Sequence, residues 1–173
     1  MRAWRQWRFG LAAVLVSGFV AGCGGRPEGV LIPVPDDVPG TSRVSMVVAT
    51  VRKRVDTPDV FSGERGWQPR YAEVTVSIPP DNARKIGDVQ FPRQVPGNPA
   101  TDFVTTQLDE LTQDQAIAWF NKHVKQTPGR QALVFVHGFN QRYEEAVFRF
   151  AQIVHDSGAK VTPVLYTWPS RGS

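Results

Sequence analysis

The sequence predicts an α/β fold with a mostly parallel sheet that is preceded by β-rich N-terminal strands. Every residue of the run Ala132–Val136 is apolar, which is typical of a strand covered on both faces in a parallel sheet. An amphipathic helix follows, and its apolar face recurs at spacings of four and three residues, with Tyr143, Val147, Phe150 and Val154. The segment Val161–Thr167 then forms a second strand. A strand, a helix and a strand in this order require a parallel, right-handed crossover.

Composition restricts the classes of protein that remain. The chain has 173 residues, of which 41% are hydrophobic and 21% are charged, and these values fit one globular domain rather than a disordered or fibrous chain. The net charge is +4, and three of the arginines lie in the first 22 residues, which contain no acidic residue. The basic balance therefore belongs mostly to the N-terminus, and we expect no nucleic-acid partner.

The sequence gives no sign of a metal or cofactor site. Cys23 is the single cysteine, so an internal disulfide and a thiolate-rich zinc site are both excluded. The three histidines, at positions 123, 137 and 155, lack the close spacing of a helical metal-binding pair. The chain also lacks a glycine-rich phosphate loop, so we expect no metal and no cofactor.

Residues 1–22 predict a lipoprotein signal peptide. Three arginines are followed by an apolar run over residues 9–20, which is too short to span a bilayer as a helix. The sequence Val20-Ala21-Gly22-Cys23 resembles the bacterial lipobox, in which the cysteine is lipidated. We therefore expect an exported protein of the bacterial cell envelope, attached to a membrane through Cys23. An ordinary signal peptide or a buried helix is the alternative.

Two further segments complete the predicted organisation. Residues 23–43 contain four prolines and four glycines, which predicts a tether. Residues 44–173 form a partial α/β domain that begins with the strands Val44–Val51 and Tyr71–Ile78, and residues 56–68 are expected to form a loop. A helix is expected to start at the capping box Thr112–Gln115, with three side chains on one apolar face: Ile117, Phe120 and Val124.

The turn after the first apolar strand carries the candidate chemistry. It reads His137-Gly138-Phe139-Asn140, with Asn140 expected to cap the next helix and Gly158 expected to end it. Gly138 lets the backbone approach a ligand, and the Phe139 N–H would be free because it opens a helix. Such donors can stabilise the oxyanion of an acyl-transfer intermediate. The alternative is a purely structural turn with a packed histidine.

The surrounding sequence resembles a known family. The stretch Val134–Asn140, its continuation over 145–152 and the segment 165–170 are similar to an uncharacterised bacterial esterase/lipase-like family of the α/β-hydrolases, whose members often carry a lipoprotein signal. The resemblance covers 44–172, with Val51 as a departure. It implies hydrolysis of an unknown ester-type small molecule through an acyl-enzyme. Phe139 would be the backbone oxyanion donor, and His137 and Gly138 would shape the turn.

The expected nucleophile is missing from the sequence. α/β-Hydrolases place the serine in Gly-x-Ser-x-Gly, followed by Asp or Glu and then His, and no such motif is present. Ser170 lacks the first glycine and comes one strand too early. We therefore expect the N-terminal part of a hydrolase, incomplete at its C-terminus, inactive by itself and prone to aggregate through an unpaired strand edge. The alternative is a non-catalytic envelope lipoprotein that acts as a binding or scaffold module.

Overall fold

The computed structural model describes residues 27–172 and shows one five-stranded sheet with two helices. The strand order across the sheet is β3-β2-β1-β5-β4. Two single-turn 3₁₀ segments lie in the connections. The elements in chain order are β1 (Ser42–Arg54), β2 (Phe61–Ile78), β3 (Val104–Leu111), α1 (Gln113–Gln126), β4 (Ala132–Val136), α2 (Tyr143–Ser157) and β5 (Thr162–Thr167).

The sheet is mixed, so the prediction of a mostly parallel sheet is wrong. The β1–β2 and β2–β3 pairs are antiparallel, whereas β1–β5 and β4–β5 are parallel. The N-terminal strands are part of the same sheet, because Val47 pairs with Val164 and Thr50 with Thr167. The predicted parallel crossover from β4 through α2 to β5 is confirmed. The C-terminal ends of β1, β4 and β5 therefore lie at one end of the sheet.

Strand β4 lies at an edge of the sheet rather than in its interior. Among residues 27–172, its one paired neighbour is β5. Val134 and Val136 are 58% and 55% exposed, although their apolar character predicted burial on both faces. Local sequence encodes the apolar strand, but the cover over it depends on other segments of a fold.

Helix α2 packs its apolar stripe against one face of the sheet. The four residues predicted to face the core are buried, and Gly158 ends the helix in the left-handed conformation with φ of 63°. A glycine suits this position because it has no Cβ to oppose positive φ. The buried side chains that follow the predicted spacing are Tyr143, Val147, Phe150 and Val154.

Helix α1 begins as predicted but turns a different side toward the sheet. Thr112 Oγ1 accepts the Gln115 N–H at 3.2 Å, and Gln115 Oε1 accepts the Thr112 N–H at 2.8 Å. The buried residues are Ala116 and Trp119; of the predicted face, Phe120 and Val124 are half-buried and Ile117 is 50% exposed. Helix α1 covers only part of the sheet face against which it packs, and an apolar groove of about 350 Å³ remains beside β4.

The N-terminal segments are more ordered than the sequence predicted. The described part of the predicted tether, residues 27–41, lies against the domain: Val30 and Leu31 are buried, and the Val34 N–H donates to the Thr105 carbonyl at 2.9 Å. Part of the predicted loop 56–68 is strand, because β2 begins at Phe61. Strand β3 was not predicted; it pairs along β2 and completes the sheet on that side.

Candidate functional site

His137 follows β4 directly and is enclosed by hydrogen-bond partners. Its side chain is almost fully buried, and the Trp168 N–H donates to Nε2 at 3.2 Å. The Thr167 hydroxyl lies 3.0 Å from the same nitrogen. Nδ1 is 2.8 Å from the Gly138 carbonyl, which can only accept. The proton is therefore assigned to Nδ1, and both ring nitrogens are occupied within the protein.

Electrostatics keep His137 neutral. Burial lowers its pKa below the ordinary histidine value, and the nearby Arg52 charge lowers the pKa further. The hydrogen bond to the Gly138 carbonyl opposes this shift without overcoming it. A neutral imidazole with both nitrogens engaged is suited to holding the turn in shape, and it offers no free nitrogen to act as a base.

Arg52, near the end of β1, connects the segments that surround this turn. Its side chain is 99% buried, since its relative exposure is 1%. Nε donates to Thr167 Oγ1 at 2.7 Å, Nη1 to the Ser170 carbonyl at 2.6 Å and Nη2 to the Gln141 carbonyl at 2.8 Å. One planar guanidinium thus fixes the end of β5, the segment after it and the turn before α2.

Sequence reasoning missed Arg52 as a site residue. The residue was part of the stretch that carried the family resemblance, but no role was assigned to it. Its signal is a charged side chain near the end of an otherwise apolar, β-branched strand. Its partners could not be inferred from sequence, because Gln141, Thr167 and Ser170 lie 89 to 118 residues further along the chain.

The segment after β5 packs onto the His137 turn. Trp168 stacks on the His137 ring with centroids 5.2 Å apart, and its indole Nε1–H donates to the His137 carbonyl at 3.0 Å. Ser170 is buried, and its Oγ accepts the Gln141 N–H at 2.9 Å. Ser170 therefore holds the turn.

Phe139 is the exposed part of the turn. Its side chain is 88% exposed, and no hydrogen bond from its backbone N–H is found within residues 27–172. The physical reason given for a free amide needs correction, because α2 begins at Tyr143 with Arg142 as its N-cap. Asn140 is not the N-cap; it lies in the preceding turn with φ of 63°. The Phe139 amide is thus a turn amide rather than the first donor of a helix.

Gly138 is not required by the packing of the fold. A Cβ built at this position would have no atom within 4 Å, and the φ angle lies outside the left-handed range. Gly63 is different, because a Cβ there would lie 2.8 Å from the Arg171 Cα. The open space at Gly138 is compatible with the predicted close approach of a ligand to this backbone. The oxyanion role of Phe139 and the shaping role of His137 and Gly138 remain predictions.

A polar pocket of about 250 Å³ lies on the other side of Arg52, between the β1–β2 hairpin and the start of α2. Glu144 lines it, and burial raises the pKa of its carboxyl above the ordinary glutamate value. Arg142 Nε lies 2.6 Å from Glu144 Oε1 and partly offsets this shift. The neighbouring Tyr143 hydroxyl is buried and finds no hydrogen-bond partner among residues 27–172. The charged side chains of Arg142 and Glu144 in this pocket therefore lie next to the His137 turn.

The described residues offer no other catalytic constellation. No group of three metal-binding side chains occurs in residues 27–172, and no helix there is long and apolar enough to cross a bilayer. The adjacent residues His155, Asp156 and Ser157 have separate partners, namely Asp81, Arg84 and the Val154 carbonyl. They form no relay. Cys23, the predicted lipid attachment site, lies outside the described residues.

Comparison with known proteins supports the superfamily. Residues 112–173 match the model of a family described as alpha/beta hydrolase of unknown function (DUF900). The matched range contains the His137 turn, α2, β5 and the segment that packs on the turn. No curated protein and no solved structure matches the chain. The family match supports an α/β-hydrolase fold and names no substrate.

Proposed function

We propose that this chain supplies the oxyanion-binding side of a membrane-anchored α/β-hydrolase that cleaves carboxylic esters through an acyl-enzyme. One observation carries the proposal. The Phe139 amide, without an assigned partner, lies beyond β4 at the end of the sheet where three parallel strands finish, within the range that matches the family. Ligands of α/β sheets bind outside the carboxyl ends of the strands.

The geometry is compatible with a distinct role for each residue of the turn. The Phe139 N–H would donate to the negative oxygen that forms when a nucleophile attacks the ester carbonyl. Gly138 leaves room for that oxygen, because its position has no neighbouring atom that a ligand would displace. His137 and Arg52 are positioning residues, since their polar atoms are engaged in holding the turn. This sequence contains no Gly-x-Ser-x-Gly motif that would provide the nucleophile.

The location of the protein is also a proposal. The N-terminal sequence favours export and lipidation of Cys23. It combines three arginines (Arg2, Arg5 and Arg8), the apolar run 9–20 and the sequence Ala21-Gly22-Cys23. The enzyme would then act at the bacterial cell envelope on an ester-type small molecule. Metabolic labelling with an alkynyl fatty acid tests this attachment, with Cys23→Ser as the control. Labelling that persists in Cys23→Ser would contradict it.

The gene itself offers the first test of the hydrolase proposal. The DNA beyond codon 173 is read in the three forward frames. A frame that continues into a strand, a Gly-x-Ser-x-Gly turn and a later Asp and His would support the proposal, and the extended protein should label with a fluorophosphonate probe. A stop without such a continuation would favour the non-catalytic binding or scaffold module. The 173-residue chain by itself should not label.

The extended protein allows a sharp test of the Phe139 amide. Phe139→Pro removes the N–H, whereas Phe139→Ala removes the exposed ring and keeps the N–H. Loss of one oxyanion donor lowers kcat by about 10²–10³-fold in known cases. We expect that loss in Phe139→Pro, with kcat of Phe139→Ala near the parent value. Equal rates in the two variants would refute the assignment of this amide.

A further inference from the structure

An exposed tryptophan projects from the β1–β2 hairpin. In the backbone register of β1 and β2, Arg52 lies opposite Arg65 and Thr50 lies opposite Arg70. Val51 of β1 therefore lies opposite the four residues 66–69 of β2. The extra residues form an outward bulge that presents Trp67, whose relative exposure is 102%. Gly66 permits the bulge, because a Cβ there would lie 2.9 Å from the Arg52 carbonyl oxygen. This large, amphipathic side chain is therefore fully available for contact with a partner surface.

The bulge is flanked by unneutralised positive charge. Arg65 and Arg70 are exposed, and their side chains have no ion pair or hydrogen bond within residues 27–172. The nearby carboxylates are engaged elsewhere: Glu64 pairs with Lys53, and Glu110 pairs with Arg54. The bulge therefore carries the unpaired positive charges of Arg65 and Arg70. Its complement is an anionic surface.

The start of the described chain lies at the same end of the molecule. The Gly29 N–H donates to Asp59 Oδ1 at 2.9 Å, which fixes residues near Pro27 beside the tip of the β1–β2 hairpin. Cys23 precedes Pro27 by four residues, and four extended residues span at most about 14 Å. A lipid on Cys23 would therefore hold this end of the sheet close to a membrane. Phe139, also exposed, lies at this end too.

We propose that the end of the sheet that carries Trp67, Arg65, Arg70 and Phe139 docks onto an anionic phospholipid surface. The indole ring of Trp67 suits the headgroup region, where one side of the ring meets acyl chains and its N–H meets water. The two arginines lie beside the lipid phosphates. The proposal goes beyond ester hydrolysis, and it uses lipidation of Cys23 only for the distance argument. Its consequence is that the His137 turn faces the membrane.

Site-directed labelling of the full chain tests this orientation. Cys23→Ser removes the only thiol, and a single cysteine is then introduced as Trp67→Cys or Ile86→Cys. Ile86 is the matched control, because it is 65% exposed and lies near the C-terminal end of α2, where the Gly87 N–H donates to Asp156. An environment-sensitive fluorophore is attached, and vesicles with or without phosphatidylglycerol are added. We expect a blue shift at 67 and none at 86, larger with the anionic lipid.

Charge variants test the anionic preference. In the Trp67→Cys background, Arg65→Ala/Arg70→Ala should lower the ratio of inserted to uninserted label about fivefold for each arginine. Lys125→Ala/Lys160→Ala removes the same charge at the opposite end and should leave the ratio unchanged. A label at 67 that stays in water at every vesicle concentration, whether or not the protein binds, would overturn the proposal, as would equal shifts at 67 and 86. If neither double substitution changes the insertion of the label, the proposed preference for anionic lipid is wrong. None of these readouts depends on hydrolase activity.

Discussion

The most direct test of the site architecture is removal of the Arg52 guanidinium. Its three shortest hydrogen bonds, of 2.6 to 2.8 Å, hold the Ser170 carbonyl, Thr167 Oγ1 and the Gln141 carbonyl together. Arg52→Ala would leave two carbonyls buried without these donors, and each unsatisfied polar group costs about 1–3 kcal/mol. For the two carbonyls together this amounts to about 2–6 kcal/mol. We expect a loss in this range.

The adjacent arginine of the same strand provides the control. Arg54 is one-third exposed and pairs at the surface with Asp56 and Glu110. Exposed ion pairs contribute about 0–1 kcal/mol, so Arg54→Ala should change stability by less than about 1 kcal/mol. Arg52→Lys should also lose stability, because an ammonium cannot donate to three separated acceptors in one plane.

Urea unfolding followed by circular dichroism measures both variants. The free energy of unfolding is obtained by linear extrapolation, and similar slopes show that the same surface is exposed on unfolding. Equal and small losses in Arg52→Ala and Arg54→Ala would refute the conclusion that Arg52 holds the turn. A loss in Arg52→Ala with unchanged Trp168 near-UV signal in the folded state would also contradict its placement beside the Trp168 segment.

Three further predictions concern separate parts of the molecule. Burial would raise the pKa of Asp156, but hydrogen bonds from Arg84, Gln152 and the Gly87 N–H lower the pKa from 3.8 to about 2. This carboxylate therefore adds about 2 kcal/mol of stability above pH 4, and that contribution is lost as pH falls toward 2. Asp156→Asn should flatten this part of the curve when stability is measured against pH. Gly63→Ala should lose about 1–3 kcal/mol because its Cβ would meet the Arg171 backbone, whereas Gly138→Ala should stay within about 1 kcal/mol because its Cβ would meet nothing, as measured by thermal melting. Val134→Lys, on the uncharged edge of β4, should reduce concentration-dependent aggregation measured by light scattering, and Ile86→Lys, which is away from the sheet, should not; equal effects would argue against edge pairing.

Patterns within one segment were predicted well because their causes are local. The alternation of four and three residues that buries Tyr143, Val147, Phe150 and Val154 follows from helix geometry alone. The capping box at Thr112 needs only two residues three positions apart. The stop at Gly158 needs only the freedom of one glycine. The parallel β4–β5 pair follows from the intervening helix.

Other predictions were wrong because the features they describe depend on what packs against a segment. The apolar run of β4 predicted an interior strand, but burial depends on neighbours that residues 27–172 do not place there. The predicted face of α1 was Ile117, Phe120 and Val124, but Ile117 is exposed, and Trp119, which points to a different side of the helix, is buried instead. Phe120 packs on the same cluster as Trp119. The predicted tether packs onto the domain because Val30 and Leu31 find a core that a local count of prolines and glycines could not reveal.

The sequence by itself determined the apolar strands, both helices and the position of the His137-Gly138-Phe139 turn, because each depends on residues close together in the chain. Only the tertiary structure decided that the sheet is mixed and that Arg52 fixes this turn. Only the tertiary structure placed the exposed Trp67 at the same end as Phe139. These features join residues as many as 118 positions apart, and no local pattern encodes which distant carbonyl a buried guanidinium will reach.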